Sequence, residues 1–165
     1  AAWLRDTGHP YADRVIRDMD APPPVYVRLR PEVTRCEHLG GRRFSFGYEW
    51  HVEADPELKE TYWSYCQFWN RQYGTDGAIA FRLVQWPDPP TPEWREGDLV
   101  AIGPAEIEIP ESAGPGTYEV HMGLYEPEKR LNAPIAPPFK GIVGTLTVTA
   151  DDTGAITGVA FAAGK

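Results

Sequence analysis

Apolar and polar residues alternate in twos along most of the chain. The clearest run is Arg43 to Glu53, where Phe44, Phe46, Tyr48, Trp50 and Val52 fall on one side of an extended backbone and Arg43, Ser45, Glu49, His51 and Glu53 on the other. One face of that strand is predicted to be core and the other wet. Tyr62 to Trp69 and Ile79 to Trp86 give two further strands, made neighbours by a turn around Gly74 to Gly77. Val25, Val27 and Leu29 predict a short strand, and Gly40-Gly41 supplies the turn before the long one. Leu99 to Ile102 and Ile107 to Ile109 follow as separate strands broken by Gly103-Pro104. Tyr118, Val120, Met122 and Leu124 alternate with Glu119, His121 and Tyr125. Ile142 to Ala150, the turn Asp151-Asp152-Thr153-Gly154 and Ile156 to Phe161 make a hairpin. Pro87 to Pro92 cannot donate ladder hydrogen bonds, so it is expected to cross between sheets or run over an edge.

Only the N-terminal stretch departs from this period. Pro10, followed by Tyr11, Val15, Ile16 and Met19 at helical spacing, predicts one short helix before Pro22 forces an exit. The expected architecture is all-β: an antiparallel two-sheet sandwich of eight or nine strands, immunoglobulin-like or jelly-roll-like. Residues 1–24 are read as a helical extension and linker, and 25–165 as the sandwich domain.

Composition narrows the partners. A chain of 165 residues suffices for one domain with its own core, without metal or disulfide staples. The formal charge of −8 opposes the phosphate neutralisation on which nucleic-acid binding depends, and it argues against anionic membrane surfaces as well. No apolar run approaches the roughly 20 residues of a membrane-spanning helix, so no membrane insertion is expected. The opening Ala1-Ala2-Trp3 has neither an initiator Met nor a basic-then-apolar leader, which predicts that a targeting segment has been removed or that the chain is cut from a longer protein. Cys36 and Cys66 are too few for a four-cysteine zinc site and leave a disulfide, a thiol pair or two unrelated thiols open. Cys66, inside an aromatic strand, reads best as a small buried hydrophobe.

The chain contains no Gly-x-Ser-x-Gly elbow, phosphate-cradling glycine loop or dinucleotide fingerprint, and no catalytic residue is assigned. His9, His38, His51 and His121 lack the spacing of a metal site on one element; His51 and His121 sit on predicted wet faces and would meet if their strands paired. Glu49, Glu53, Asp55, Glu57 and Glu60 cluster around one loop. They are read as solubilising charge, with Ca²⁺ the ion their oxygens would suit, and no cofactor or metal is expected.

Aromatic density is the unusual feature. Residues 62 to 94 contain Tyr62, Trp63, Tyr65, Phe68, Trp69, Tyr73, Phe81, Trp86 and Trp94, more than the core face of one strand can hold. Alternation puts Tyr62, Ser64, Cys66 and Phe68 on one face of the 62–69 strand, and Trp63, Tyr65, Gln67 and Trp69 on the other. Either the strand is covered on both sides, under the N-terminal helix or a partner domain, or one aromatic face is a binding platform. Such a platform suits sugars, whose axial C–H faces stack on flat rings while amide and imidazole groups bond the hydroxyls. Trp63, Tyr65, Trp69 and Trp86, with Gln67 and His51 alongside, form the expected ligand-binding set.

Four segments carry a resemblance: Phe-Ser-Phe-Gly-Tyr-Glu-Trp-His-Val at 44–52, the aromatic strand at 62–69, Pro-Asp-Pro-Pro-Thr-Pro-Glu-Trp-Arg-Glu-Gly-Asp at 87–98, and Pro-Gly-Thr-Tyr-Glu-Val-His-Met-Gly-Leu-Tyr-Glu-Pro at 115–127. This order, over about half the chain, resembles the immunoglobulin-like β-sandwich modules attached to bacterial carbohydrate-active enzymes and to extracytoplasmic regions of sugar transferases. The resemblance implies Trp94 on the core and Tyr118 pinning a corner. It also implies an extracellular or periplasmic, noncatalytic accessory domain beside a catalytic neighbour in a longer chain. Such modules often place a Phe-x-His pair where this sequence has Tyr65 and Gln67, so no role of that His carries over. The function expected is recognition of a polysaccharide or oligosaccharide. The alternatives are a glycan hydrolase or lyase on a β-sandwich scaffold, and a purely structural interdomain module.

Overall fold

A computed structural model describes residues 26–74, 77–137, 139 and 141–164. The helix expected between Pro10 and Pro22, and the extension to which it belongs, lie outside the described residues. Nine strands follow: β1 (Leu29–Gly40), β2 (Arg43–Val52), β3 (Trp63–Trp69), β4 (Ile79–Gln85), β5 (Leu99–Glu108), β6 (Gly116–Glu126), β7 (Leu131–Asn132), β8 (Ile142–Ala150) and β9 (Ile156–Ala163). They form a three-stranded sheet, β1-β2-β5, and a six-stranded sheet, β4-β3-β6-β8-β9 with β7 paired to β6. All these pairings are antiparallel, and the two sheets pack face to face as a sandwich. The second strand pairs the fifth and the third pairs the sixth, which is the immunoglobulin-like strand order.

The alternation in β2 does what it predicts: Phe44, Phe46, Tyr48, Trp50 and Val52 are all buried. Opposite them lie Cys66, Phe68, Phe81, Tyr118, Met122, Leu124 and Leu146 of the larger sheet, or their immediate neighbours in its inner face. Edge-to-face ring contacts cross the interior, Phe44 to Phe68 at 5.9 Å and Phe46 to Phe68 at 5.4 Å between centroids. A polar clasp joins the two sheets in the same core. Ser64 of β3, with no exposed surface, accepts a hydrogen bond from the Trp50 indole at 2.8 Å and shares one with the Tyr48 hydroxyl at 2.6 Å. Each of these buried polar atoms is thereby satisfied.

Two expected fold-maintaining features are present. Trp94 is buried and its indole donates to the Pro89 carbonyl at 2.9 Å, while Tyr118 near the start of β6 donates to the Gly114 carbonyl four residues upstream at 2.6 Å. The proline-rich bend carries the chain from β4 in one sheet to β5 in the other. Cys36 and Cys66 are free thiols, and burial holds both protonated, Cys36 pushed up to about 11.

The strands differ from expectation in two places. Of the first strand expected over Val25 to Leu29, Val25 lies outside the described residues; β1 begins at Leu29 and runs to Gly40, and Val27 makes only a single parallel bridge with Ile135. β1 is an edge strand whose outward residues include Arg30, Glu32, Arg35 and Glu37, and a register shift between Val33 and Arg35 breaks its alternation. Its extended state comes from pairing with β2 rather than from its own pattern. The expected break at Gly103-Pro104 is instead a bulge inside one strand, β5. Gly103 adopts a φ of +79°, open to a residue without a side chain, and Pro104 is tolerated because β5 lies at a sheet edge.

Candidate functional site

β3 runs between β4 and β6, so both its faces are defined by the strands beside it. Ser64, Cys66 and Phe68 point into the sandwich, and Trp63, Tyr65, Gln67 and Trp69 point out, half-buried among their neighbours. The outer face is therefore neither sealed in the core nor a flat open platform. It is a groove of about 880 Å³ lined by the four β3 residues together with Ile79, Arg82, Val84, Gln85 and Trp86 on one side and Tyr125 and Asn132 on the other. That volume lies within the range of small-molecule sites.

Register explains how the groove is assembled. Across β3, Tyr65 sits between Val84 and Gly123, Gln67 between Arg82 and His121, and Trp69 beside Glu119, while Trp63 faces Tyr125. Gly123 sets the position of Tyr65: a Cβ there would lie 2.8 Å from the ring Cε1 and closer still to the hydroxyl, so the ring lies down on the bare backbone of β6. Its hydroxyl donates to Asn132 Oδ1 at 3.3 Å, and burial holds the phenol above its ordinary pKa, which keeps it a donor. Trp69 is fixed twice. Its indole N–H donates to Gln67 Oε1 at 2.9 Å, and one face stacks on His121 with centroids 4.3 Å apart and 16° between planes. His121 Nε2 lies 3.0 Å from Glu119 Oε2. Trp86, 56% exposed, meets Trp63 edge-to-face at 5.2 Å. The Trp63 indole nitrogen is buried with no hydrogen-bond partner among the described residues.

Trp69 also borders a second depression of about 370 Å³, with Asn70, Arg71, Thr117, Glu119 and His121. The aromatic surface therefore runs the length of β3, about 20 Å at the rise of an extended strand. A third depression of about 590 Å³ lies over Glu57, Lys59 and Arg95; its one ring, Trp94, is 1% exposed and offers no stacking surface.

Of the expected set, Trp63, Tyr65, Gln67, Trp69 and Trp86 come together in this groove. His51 does not. It lies on the outer face of β2, in the other sheet, and it cannot meet His121 because β2 and β6 belong to different sheets. The error has a simple cause: alternation identifies a residue's face but not which sheet carries the strand. His51 belongs to a charged cluster, with Nε2 3.0 Å from Glu49 and 3.2 Å from Glu32, and Nδ1 3.0 Å from the Arg30 guanidinium. Glu32, Glu49 and His51 converge closely enough to offer three metal-ligand atoms. Arg30 already bonds His51, Glu32 and Glu53, so the cluster's negative charge has a resident counter-ion. The acidic residues expected to suit Ca²⁺ are dispersed: Glu53 pairs with Arg30, Asp55 accepts from the Glu96 amide and Glu60 pairs with Lys129.

Arg82, Gln85, Tyr125, Asn132 and the packing glycine Gly123 were not in the expected set. Arg82 is legible as an outward position of its strand, between Phe81 and Leu83. The β6 and β7 contributions depend on the β3–β6 pairing, which joins segments some fifty residues apart and leaves no local signal. No helix among the described residues is long and apolar enough to cross a membrane. Comparison with known proteins leaves the site to be read from its geometry: no family model, curated protein or solved structure matches the chain.

Proposed function

We propose that this chain is a noncatalytic carbohydrate-binding module, whose site is the groove along the outer face of β3. Four large rings, Trp63, Tyr65, Trp69 and Trp86, gathered on one solvent-accessible sheet face carry this reading. Rings held by Gly123, His121 and a neighbouring indole are preorganised, so little side-chain entropy is lost when a pyranose stacks on them. Gln67, Gln85 and Asn132 line the same groove and supply amide groups able to hydrogen-bond sugar hydroxyls. The length of the surface accommodates several sugar units of one chain. Affinity per site is modest in such an arrangement. A tethered catalytic domain in an extracytoplasmic protein would gain from it by effective concentration rather than by tight binding.

Affinity electrophoresis against a panel of soluble glycans, with intrinsic tryptophan fluorescence in parallel, tests the proposal. Retardation by at least one glycan, lost in Trp63→Ala and Trp69→Ala, is expected. Absence of retardation by every glycan, with fluorescence unmoved, overturns it.

A further inference from the structure

The middle of the groove is built from donors. Arg82 is the one formally charged side chain in its lining, and among the described residues it makes no ion pair and no hydrogen bond. The arginines of the other sheet and its turn behave differently: Arg30, Arg35, Arg42 and Arg43 are each matched by a carboxylate. Arg28, Arg71, Arg95 and Arg130 are likewise without a carboxylate partner among the described residues, so what sets Arg82 apart is its place among aromatic rings in a groove. Its cross-strand neighbour Gln67 has its oxygen engaged by the Trp69 indole, which leaves the amide NH₂ as a further donor without a partner among the described residues. Glu119, on the same face, is the cross-strand neighbour of Trp69 and lines the adjoining depression with it.

We propose that the groove selects acidic polysaccharides, docking a uronate carboxylate on Arg82 and Gln67 while the flanking sugar rings stack on Tyr65 and Trp69. The inference rests on the glycan-binding reading and adds the chemical class of the ligand. A carboxylate is planar and matches the guanidinium fork with two parallel hydrogen bonds, a geometry that a neutral hydroxyl cannot provide. The row Arg82–Gln67 lies between the Tyr65 and Trp69 rows of β3, each about 7 Å away along the strand. The acidic unit is thus bracketed by stacking surfaces on both sides. The net charge of −8 repels polyanions in general, so recognition rests on the local guanidinium: rings alone would accept any sugar, and Arg82 discriminates among them.

The test uses the whole chain and polysaccharides in pairs, each uronate polymer (polygalacturonate, alginate, glucuronan) beside its carboxyl-reduced counterpart, with a sulfated glycan as a third arm. At least one uronate polymer should bind, and its reduced form should bind roughly tenfold to a hundredfold more weakly. R82Q should lose a similar factor on the acidic polymer and nothing on the reduced one, R82K should recover part of it, and added salt should weaken only the acidic interaction. Arg82 is exposed, so R82Q is expected to fold as the parent does, which a far-ultraviolet spectrum checks. If acidic and reduced polymers bind alike and R82Q changes neither, the acidic selectivity fails while glycan binding stands. Preference for the sulfated arm alone overturns the uronate assignment. If none of these polymers binds, the uronate assignment falls, and the glycan-binding reading is decided separately by the wider panel.

Discussion

The outer faces of the two sheets are built on the same two-residue alternation and end up chemically opposite. On β1-β2-β5, cations and carboxylates are interleaved so that most find a partner: Arg30 with Glu32 and Glu53, Arg35 with Glu37, Arg43 with Glu106, and His51 between Glu32 and Glu49. On β4-β3-β6, the outward positions hold indoles, phenols and amides around a cation with no partner. The first face meets most of its charges internally and leaves the buried Nε2 of His51 without a hydrogen-bond partner among the described residues. The second leaves ring surface and donors to be satisfied from outside. Polarity alone therefore does not distinguish the two faces; the balance of partners does.

The largest expected effect tests whether the two faces share one scaffold. Ser64→Ala leaves the Trp50 indole and the Tyr48 hydroxyl unpartnered in the core and should cost about 2–3 kcal/mol by chemical denaturation. Because the clasp stands behind both faces, glycan retention and salt dependence should survive in the folded fraction. Trp69→Ala comes next, at about 1–2 kcal/mol for a half-buried ring that also loses its stacking on His121. It should abolish retention, and the contrast with Ser64→Ala is the point of measuring both.

Alkali should act on the core and the aromatic face together. Burial raises the phenols of Tyr48, Tyr65 and Tyr118, the last to about 12, and the thiol of Cys36 to about 11. Above the ordinary values of 9.0 for a thiol and 10.0 for a phenol, the unfolded chain releases protons that the native state still holds. Stability therefore falls as pH rises through those values and on toward the folded ones. Denaturation midpoints measured along that range should decline, and Tyr65→Phe should make the decline shallower. The smallest effect is expected on the charged face. Arg30→Gln should cost well under about 1 kcal/mol, with the difference largely gone at high salt and no change in glycan retention.

Most of the sandwich was legible locally, and the reason is visible in β2, β3 and β6. Each buries one face against the opposite sheet, so core positions recur every second residue. β1 was not legible beyond its first residue because an edge strand with a register shift owes its conformation to its partner. At the site, the β3 residues and Trp86 could be found because they share one strand and the end of the next. Asn132 and Tyr125 reach the groove through pairing with distant segments, and His51 was misplaced for the same reason. Gly123 is the subtler case. A glycine inside an alternating strand signals that something approaches the backbone closely, but not that the visitor is Tyr65.

That glycine also fixes the floor height of the groove. Where the side chain is a single hydrogen, Tyr65 reclines against the sheet; one added methyl group would meet the phenol ring and push it toward the open side of the groove. The depth of the groove is thus controlled from beneath, by the bare backbone of Gly123.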